Sequence, residues 1–417
     1  MLIKFATIKN HRMAGIYLHI PFCRQACHYC NFHFSTSLKG KNDFIPALLK
    51  EMDKRKDYIG EAKIATVYLG GGTPSLLDPT QLRAILDKLG ETFILDPAVE
   101  ITMEANPDDM TQAATMRAWR AAGINRLSIG IQSFFDEDLQ WMNRAHNAGQ
   151  ATECIRMAQG EGFNNISIDL IYGGPTLPDQ HWQENVQRAI ALQIPHLSCY
   201  ALTVEPRTAL DTLIRNHRRQ DVSPDDQARQ FLLLMDWMDQ AGYEHYEISN
   251  FALPGYRSRH NSSYWRGETY LGLGPSAHSY DGASRQWNVA NNAKYIAAEG
   301  SAIAEREVLT PVQQLNEYIM ISLRTMEGMD LDHITGRWGT EAAQNLAARA
   351  QRYIREGKMT ALKTLALTQE GKLLADGIAA DLFFDPADAS IQLSNDAGGG
   401  FANTAPPELS RGSAPSQ

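Results

Sequence analysis

The sequence predicts a mixed α/β fold, in which a partial (β/α) barrel is followed by a mainly helical C-terminal domain. Short β-rich runs alternate with helical stretches between residues 13 and 250. Strands that alternate with helices pair in parallel through right-handed crossovers. Polar or glycine-rich residues follow the β-rich runs, and the active site of a β/α barrel lies at the carboxyl ends of its strands. Helical patterns dominate the last third of the chain.

The barrel elements follow from local strand and helix signals. The six predicted barrel strands cover residues 17–20, 64–69, 99–103, 126–131, 165–168 and 196–200. A helix is predicted over 44–58, beginning near Asn42 or Asp43, and another runs from an Asp78 N-cap to Gly90. A seventh strand is expected over 243–248.

The C-terminal elements are predominantly helical. We predict a loop over 272–279, helices over 311–326 and 340–355, a strand-like stretch over 359–367 and a last helix through residue 384. Helices followed by a short β-ribbon and a helix resemble a winged-helix-like domain. The predicted division of the chain is a basic N-terminal arm or upstream start over 1–12, the barrel over 13–250, the C-terminal domain over 251–384 and a disordered tail over 385–417.

Composition limits the classes of function. The chain has 417 residues, of which 43% are apolar and 21% charged, and a net charge of −9, which argues against a nucleic-acid-binding protein. No apolar run reaches the length of a membrane span. Five cysteines, three of them clustered, do not resemble a disulfide framework. We therefore expect a cytoplasmic protein with reduced thiols and no integral membrane segment.

The clustered cysteines lie in one predicted loop. Cys23, Cys27 and Cys30 follow the first strand with the spacing Cys-x3-Cys-x2-Cys, so that their thiolates can point at one ligand. A structural zinc ion would need a fourth ligand, which could come from His28, His33 or a distant group. An iron–sulfur cluster can be held by three thiolates with one iron left open, whereas a redox pair would use only two cysteines. The spacing favours the cluster over zinc, and all three interpretations remain open.

Other candidate residues follow the later strands. The glycine-rich stretch 70–74 lets backbone amides approach a ligand, and Glu104, Gln132 and Asp169 lie at the ends of three further strands. A tight strand-to-helix turn would explain the glycines alone. Because polar residues recur at the same end of successive strands, a shared site is the better interpretation.

The cysteine spacing, together with Gly70-Gly71-Gly72-Thr73-Pro74, resembles the radical S-adenosylmethionine (SAM) superfamily. The resemblance implies a 4Fe–4S cluster whose open iron binds SAM, which is cleaved to a 5′-deoxyadenosyl radical. The strings 17–23, 104–107, 130–134 and 169–173 narrow the resemblance to oxygen-independent coproporphyrinogen III oxidase and the radical SAM heme chaperones, over residues 15–384.

The resemblance implies specific ligands. Cys23, Cys27 and Cys30 match the cluster ligands of the family. The positions that match its SAM contacts are Tyr17, Tyr29, Gly71, Gly72, Thr73, Glu104, Gln132, Arg144, Asp169 and Ala201. Glu104 and Asp169 can accept from an ammonium or from ribose hydroxyls, and Arg144 can bind a carboxylate. Without the family match, a surface ion pair on a helix would be preferred for Arg144.

Two members of the group are distinguished by this sequence. The oxidase continues its motif with a fourth cysteine, where this chain has Phe32, and carries a longer N-terminal segment. Both differences favour a heme chaperone that transfers heme to acceptor proteins and receives electrons from an unidentified donor. The alternative is oxidative decarboxylation of coproporphyrinogen III. A zinc-stabilised binding protein without radical chemistry is the third hypothesis.

The chaperone resemblance also implies a heme-binding region. His260, Asn261, Tyr264 and Trp265 match a His-Asn-x-x-Tyr-Trp motif. A neutral imidazole is a common axial ligand of heme iron, and aromatic rings pack on porphyrin faces. The alternative is a structural role, in which His260 bonds to backbone and the aromatic residues fill the end of the barrel. His278 is a second candidate, for which a structural role is expected.

Overall fold

The computed structural model of the protein describes residues 12–385 and Ile391. The strands found in these residues are β1 Met13–Ile20, β2 Lys63–Gly71, β3 Leu95–Ala105, β4 Arg126–Gln132, β5 Ile166–Tyr172, β6 His196–Ala201, β7 Glu244–Glu247, β8 Asn250–Ala252, β9 Thr269–Leu273, β10 His278–Tyr280, β11 Ser284–Asn288, β12 Ile303–Val308, β13 Met359–Ala361 and β14 Leu365–Leu367. The predicted N-terminal arm and C-terminal tail lie outside the described residues, except for Arg12, Asp385 and Ile391.

The helices connect the strands and form the C-terminal region. In the same described residues they are α1 Lys41–Arg55, α2 Pro79–Thr92, α3 Ala113–Ala122, α4 Asp136–Trp141, α5 Ala148–Gly160, α6 Asp179–Ala191, α7 Ala209–Arg215, α8 Pro224–Gln240, α9 Arg259–Trp265, α10 Asn292–Ala297, α11 Pro311–Leu323, α12 Leu331–Trp338, α13 Thr340–Arg355, α14 Gln369–Lys372 and α15 Ala375–Leu382. No helix in the described part of the chain is long and apolar enough to cross a membrane.

One large sheet forms the centre of the fold. Its strand order is β12-β11-β10-β9-β1-β2-β3-β4-β5-β6-β8-β7. Strands β1 to β6 are parallel neighbours, and β9 adds to the other side of β1 in the same direction. The predicted parallel α/β core with a helical C-terminal region is therefore confirmed, with β12 and β7 at the two edges of the sheet.

Several predicted boundaries differ from those observed. The first helix begins at Lys41, because Gly40 adopts a left-handed conformation (φ 83°) and precedes it as the cap. Asp78 caps α2 as predicted, since its side chain accepts from Gln81 N. That helix continues past Gly90 to Thr92, because the next residue, Phe93, is buried in the core and its N–H bonds to the helix.

The predicted loop over 272–279 is wrong at both ends. β9 extends to Leu273 and β10 begins at His278, so that only 274–277 lie outside strands. Both strands are short, and Gly274 and Pro275 between them give a turn signal that obscures them. The sheet continues through β12 to Val308, beyond residue 250, and the division of the chain into domains stays a prediction.

Helix α11 bridges the two edges of the open sheet. It starts directly after β12, and Glu317 on its side pairs with Arg285 of β11 (2.9 Å). Beyond its end, Arg324 O accepts from Ile248 N (3.0 Å) and Met326 N donates to Tyr246 O (3.0 Å), next to β7. The C-terminal region therefore closes the gap that the strand order leaves between β12 and β7.

The interior of this partial barrel is polar and aromatic. On β2, for example, Val67 and Leu69 pack in the outer core, whereas Thr66 and Tyr68 contact His260 inside. The inward-facing residues of β1 to β6 are Tyr17, His19, Thr66, Tyr68, Thr102, Glu104, Arg126, Ser128, Ser167, Asp169, His196 and Ser198. Barrel interiors are ordinarily filled by branched apolar side chains. A polar interior indicates a ligand site rather than a packed core.

Candidate functional site

The three cysteines lie in the segment 21–35 after β1, which we call the cysteine loop. Cys23 N donates to Ser35 O (3.0 Å), and Cys30 N donates to Cys27 O (3.3 Å), which fold the loop back on itself. All three thiols are free and partly buried. Among residues 12–385 and Ile391, no three His, Cys, Asp or Glu side chains stand close enough together to hold one metal ion. The cysteine loop nevertheless presents three thiols from one short segment.

Two side chains donate hydrogen bonds to these thiols. Thr73 Oγ1 lies 3.4 Å from Cys23 Sγ, and Arg144 Nη1 lies 3.3 Å from Cys27 Sγ. Burial raises the pKa of Cys23 to about 11 and that of Cys30 to about 12. A bound metal reverses this effect, because thiolates are the form that ligates iron or zinc. The two donors would stabilise negative charge on sulfur in the ligated state.

Arg144 joins the cysteine loop to two barrel strands. Its Nη2 donates to Asn106 Oδ1 (2.8 Å) and to Gly130 O (2.7 Å), and Asn106 Nδ2 donates to Thr73 Oγ1 (3.2 Å). The residue lies between α4 and α5 rather than on a helix, and the bonds found for its guanidinium go to a thiol, an amide and a carbonyl. Asn106 was not predicted as a site residue, although it lies two residues after Glu104, just past the end of β3.

The glycine loop, residues 70–74, braces the cysteine loop. Gly72 N donates to Ile20 O (2.8 Å) and Thr73 N to Phe22 O (2.7 Å), so the glycine loop is bonded to the end of β1 and to the start of the cysteine loop. Gly71 N donates to Glu104 Oε2 (3.2 Å) and has φ 101°, a conformation that favours glycine. The glycines therefore allow close approach to the neighbouring backbone. Their approach to a ligand stays a prediction.

We predict that Gly72→Ala reduces cluster incorporation without unfolding the chain. A Cβ at Gly72 would stand 2.6 Å from Ile20 O and 2.7 Å from Phe22 O, so the backbone before Cys23 must shift. After anaerobic reconstitution with iron and sulfide, we expect about tenfold less cluster per chain, because losing the contacts that orient metal ligands weakens a metal site by this order.

Gly90→Ala is the matched control, because a Cβ at Gly90 on α2 meets no atom within 4 Å. It should raise stability by about 0.5–1 kcal/mol, the usual difference between alanine and glycine in a helix. Cluster content of Gly72→Ala equal to that of the control would contradict the bracing role of the glycine loop.

The other predicted SAM contacts surround the same end of the barrel. Tyr17 OH bonds to His19 Nδ1 (3.1 Å), and Asp169 Oδ1 accepts from Ser128 Oγ (3.4 Å). Gln132 is buried with φ 66°, a strained conformation for a side-chain-bearing residue at the β4 bulge. Ala201 ends β6, opposite Tyr172 of β5. The residues from β1 to β6 thus meet at the carboxyl ends of their strands.

Tyr29 lies beside the Cys27 thiol and also borders a small apolar cluster. Its ring packs against the group formed by Leu139, Trp141, Met142, Ile171, Leu202 and Leu210. Burial, with the neighbouring Cys27 thiol, raises the pKa of Tyr29 well above its ordinary value. Leu210 N donates to His28 O (2.8 Å), so the start of α7 also holds the cysteine loop.

His19 is a site residue that the sequence analysis missed. It is buried at the end of β1, and its Nε2 bonds to His33 O (2.8 Å) in the cysteine loop. Burial lowers the pKa of His19 to about 4, so it stays neutral and one ring nitrogen can donate while the other accepts. Its position two residues after Tyr17, on the same face of the strand, is the signal that could have identified it.

The heme candidates lie at the other end of the interior. His260, on α9, stacks on Tyr68 (5.0 Å between ring centroids), which also stacks on Tyr17 (6.2 Å). Both ring nitrogens of His260 are bonded, Nδ1 to Thr66 Oγ1 (2.8 Å) and Nε2 to Tyr264 OH (3.0 Å). Burial lowers its pKa to about 3, which keeps the imidazole neutral. The structure thus separates these residues from the cysteines by the depth of the barrel.

The other members of the motif face different surroundings. Asn261 N donates to Ser258 Oγ (3.3 Å), which caps α9. The Trp265 ring lies under the Arg324 guanidinium (5.8 Å), and its Nε1 has no hydrogen-bond partner among the described residues. His278 of β10 stacks on Trp287 of the neighbouring strand β11 (5.5 Å). His260 and Tyr264 are therefore the members of the motif that reach the interior.

Comparisons with known proteins identify the family. A family model described as the radical SAM superfamily matches residues 17–189, and one described as the HemN C-terminal domain matches residues 309–374. The heme chaperone HemW of Bacillus subtilis is 32% identical over 374 residues, which cover 88% of this chain and 98% of that protein. HemW of Mycobacterium tuberculosis (strain H37Rv) is 34% identical over 378 residues, which cover 88% of this chain and 94% of that protein.

Among solved structures, coproporphyrinogen III oxidase (HemN) from Escherichia coli, described as a radical SAM enzyme, has a TM-score of 0.77. It is 22% identical and aligns with 89% of this chain and 90% of that chain, a similarity that bears on the fold alone. The identity to the HemW proteins over nearly their whole length bears on the family. The resemblance predicted from the motifs is confirmed, and the chain belongs to the radical SAM family of HemW-like and HemN-like proteins.

Proposed function

We propose that this protein is a radical SAM heme chaperone that binds heme and transfers it to acceptor proteins. The observation that carries the proposal is the polar and aromatic barrel interior, which begins beneath the three-cysteine loop and ends at His260. The relatives named heme chaperone HemW support the choice of ligand. We further propose a cytoplasmic location, supported by five free cysteines, and an electron donor still to be identified.

Cys23, Cys27 and Cys30 are proposed to hold a 4Fe–4S cluster with one open iron. The donor set fits this group, because three thiols on one loop receive hydrogen bonds from Thr73 and Arg144. Such a cluster, with SAM on its open iron, supplies reductive cleavage of the sulfonium to a 5′-deoxyadenosyl radical.

The strand-end residues are proposed to bind SAM. The buried Arg144 Nε has no hydrogen-bond partner within the described residues and is available to a carboxylate. Glu104 and Asp169 supply acceptors for an ammonium and for ribose hydroxyls. Tyr17, Tyr29, Gly71, Gly72, Thr73, Gln132 and Ala201 are proposed to complete the SAM contacts. The backbone bonds from the glycine loop to the end of β1 and to the cysteine loop would hold SAM and the cluster in a fixed relative position.

We propose that His260 and Tyr264 contact heme at the inner end of the barrel, with Asn261 and Trp265 positioning α9. His260 must give up one ring hydrogen bond before it can ligate iron. The bond to Tyr264 OH is the more easily replaced, since Tyr264 is only partly buried whereas Thr66 is buried within β2. The low pKa of His260 supports this role, because the neutral imidazole is the form that ligates iron.

Coproporphyrinogen oxidase activity is the alternative, and the structural similarity to HemN is the observation in its favour. Against it stands Phe32, at the position of the fourth cysteine of the oxidase motif. Its side chain is 44% exposed and cannot ligate iron. Incubation of reconstituted protein with SAM, a reductant and coproporphyrinogen III, with a parallel heme titration, separates the two activities. Heme binding without porphyrin turnover supports the chaperone, whereas formation of protoporphyrinogen IX would refute the proposal.

In the heme titration we expect His260→Ala to weaken binding at least about tenfold, the change produced by losing about 1.4 kcal/mol. Tyr264→Phe keeps the aromatic ring but frees Nε2, so its heme affinity should equal or exceed that of the unchanged protein. The position of the heme absorption band measures ligation in both variants. A band in His260→Ala identical to that of the unchanged protein would remove His260 as the ligand.

A further inference from the structure

Arg126 is a buried cation that neither the cluster nor the proposed SAM contacts use. It begins β4, its exposed fraction is 1%, and it faces the interior opposite Thr102 of β3. Its Nε and Nη2 have no hydrogen-bond partner, and no ion pair with Arg126 is found in residues 12–385 and Ile391. Buried guanidinium groups are ordinarily paired, because a desolvated charge without acceptors is unfavourable.

A second orphaned group lies beside it. Thr102 Oγ1, the register neighbour of Arg126, is also buried and without a partner among the described residues. The two groups together offer several N–H and O–H donors to one acceptor-rich ligand, which matches a carboxylate better than a single water. Water accepts two hydrogen bonds and carries no charge, so it would leave the guanidinium uncompensated.

The surroundings indicate which carboxylate would bind. Arg126 acts electrostatically on His260, which stacks on Tyr68 and bonds to Tyr264. On β4, Arg126 precedes Ser128 by two residues, and Ser128 pairs in register with Glu104 of the proposed SAM site. A ligand at Arg126 would therefore combine aromatic contact with an anionic group, and would lie deeper in the barrel than SAM.

We propose that Arg126, assisted by Thr102, binds a propionate carboxylate of heme inside the barrel. This inference rests on the proposed function, because heme is the ligand it requires. A porphyrin has apolar faces that suit Tyr68 and Tyr264, and carboxylates at one edge that suit a guanidinium. Arg126 and Thr102 could instead bind the carboxylate of SAM. The experiment must therefore distinguish a heme carboxylate from that of SAM.

The experiment compares the binding affinities of ferric heme and of its dimethyl ester, in which both propionates are masked. Both are measured on the full chain with its cluster reconstituted. The unchanged protein should prefer heme over the ester by at least about tenfold, as expected for a charge-assisted hydrogen bond. Arg126→Gln should lose this preference through weaker heme binding, with affinity for the ester unchanged. Arg126→Lys keeps the positive charge but cannot bind a carboxylate through two parallel hydrogen bonds. It should therefore regain part of the preference for heme over the ester.

Arg156→Gln is the matched control, because Arg156 is an exposed arginine of α5 and should keep the full preference. The thermal unfolding temperature of Arg126→Gln should equal or exceed that of the unchanged protein, because the substitution removes an unpaired buried charge. A preference in Arg126→Gln equal to that of the control overturns the inference. Weakened SAM binding with an unchanged heme preference also overturns it, and assigns Arg126 to SAM.

Failure of the inference can be told from failure of the proposed function. If the unchanged protein binds neither porphyrin, the heme function itself is refuted, and the inference with it. If the unchanged protein binds heme but binds the ester equally well, only the role of Arg126 is refuted.

Discussion

Cys27→Ser should leave the protein folded but without a functional cluster. Serine removes one of three thiolates, and a hydroxyl neither ionises near neutral pH nor matches a soft iron site. The hydrogen bond from Arg144 to the Cys27 sulfur would lose its acceptor as well. We expect iron and sulfide content at background, and 5′-deoxyadenosine formation reduced by more than about hundredfold, since the chemistry belongs to the bound cofactors.

Cys154→Ala provides the control for this variant. Cys154 is buried on α5, where its thiol bonds to Ala151 O (3.3 Å), so its removal affects packing and not the cysteine loop. This variant should retain full cluster content. Wild-type levels of cluster in Cys27→Ser would contradict the ligand assignment. Reconstituted wild-type protein that holds zinc, and shows neither charge-transfer absorption nor SAM cleavage, would favour the zinc-stabilised binding protein.

The parallel core was predictable because its strands carry two signals at once. Each strand places apolar residues toward the helices, and several carry a polar residue at or beyond their midpoint, as β3 does with Glu104, β4 with Gln132 and β5 with Asp169. Both signals depend on neighbours in sequence. The same signals place the cysteine loop and the glycine loop side by side, because parallel neighbours end at the same edge of the sheet.

The inner end of the site was not predictable, because it depends on a distant segment. His260 reaches Thr66 across 194 positions in the sequence, and nothing local to α9 indicates which strand it contacts. The polar positions on the strands were a usable signal that the sequence analysis left unused. Thr66, Tyr68 and Arg126 interrupt strands that, if buried on both faces, should be almost continuously apolar.

The β9–β12 extension was missed for a related reason. Its strands are three to six residues long, and β12 is exposed along its whole length, so neither length nor alternating hydrophobicity identifies it. Tertiary contacts fix it instead. Glu51 of α1 is fully buried and accepts from Gly274 N (2.8 Å), Asn288 Nδ2 (2.7 Å) and Tyr295 OH (2.6 Å).

Glu51→Ala should therefore be strongly destabilising. Three buried donors from the extension would lose their acceptor, and Arg55, 3.6 Å from the carboxylate, would lose its partner. Removing one side of such a buried charged network costs about 3–5 kcal/mol. Urea unfolding followed by circular dichroism measures this loss. Glu51→Gln, which retains one acceptor oxygen, should lose less, and Glu91→Ala on the exposed face of α2 should change stability by no more than about 0.5 kcal/mol.

The difference in unfolding free energy between wild-type and Glu51→Ala should depend on pH, and this dependence tests the environment of Glu51. Burial is the main cause that raises the pKa of this carboxyl group, partly offset by its hydrogen bonds. The folded state therefore binds the proton more tightly than the unfolded state, and the stabilisation is greatest below the unfolded pKa and declines as pH rises through the folded pKa. The stability advantage of wild-type over Glu51→Ala should thus widen as pH falls from neutral through that raised pKa. An advantage that stays constant or narrows would mean that the carboxyl group is less buried than the hydrogen bonds to Gly274, Asn288 and Tyr295 require.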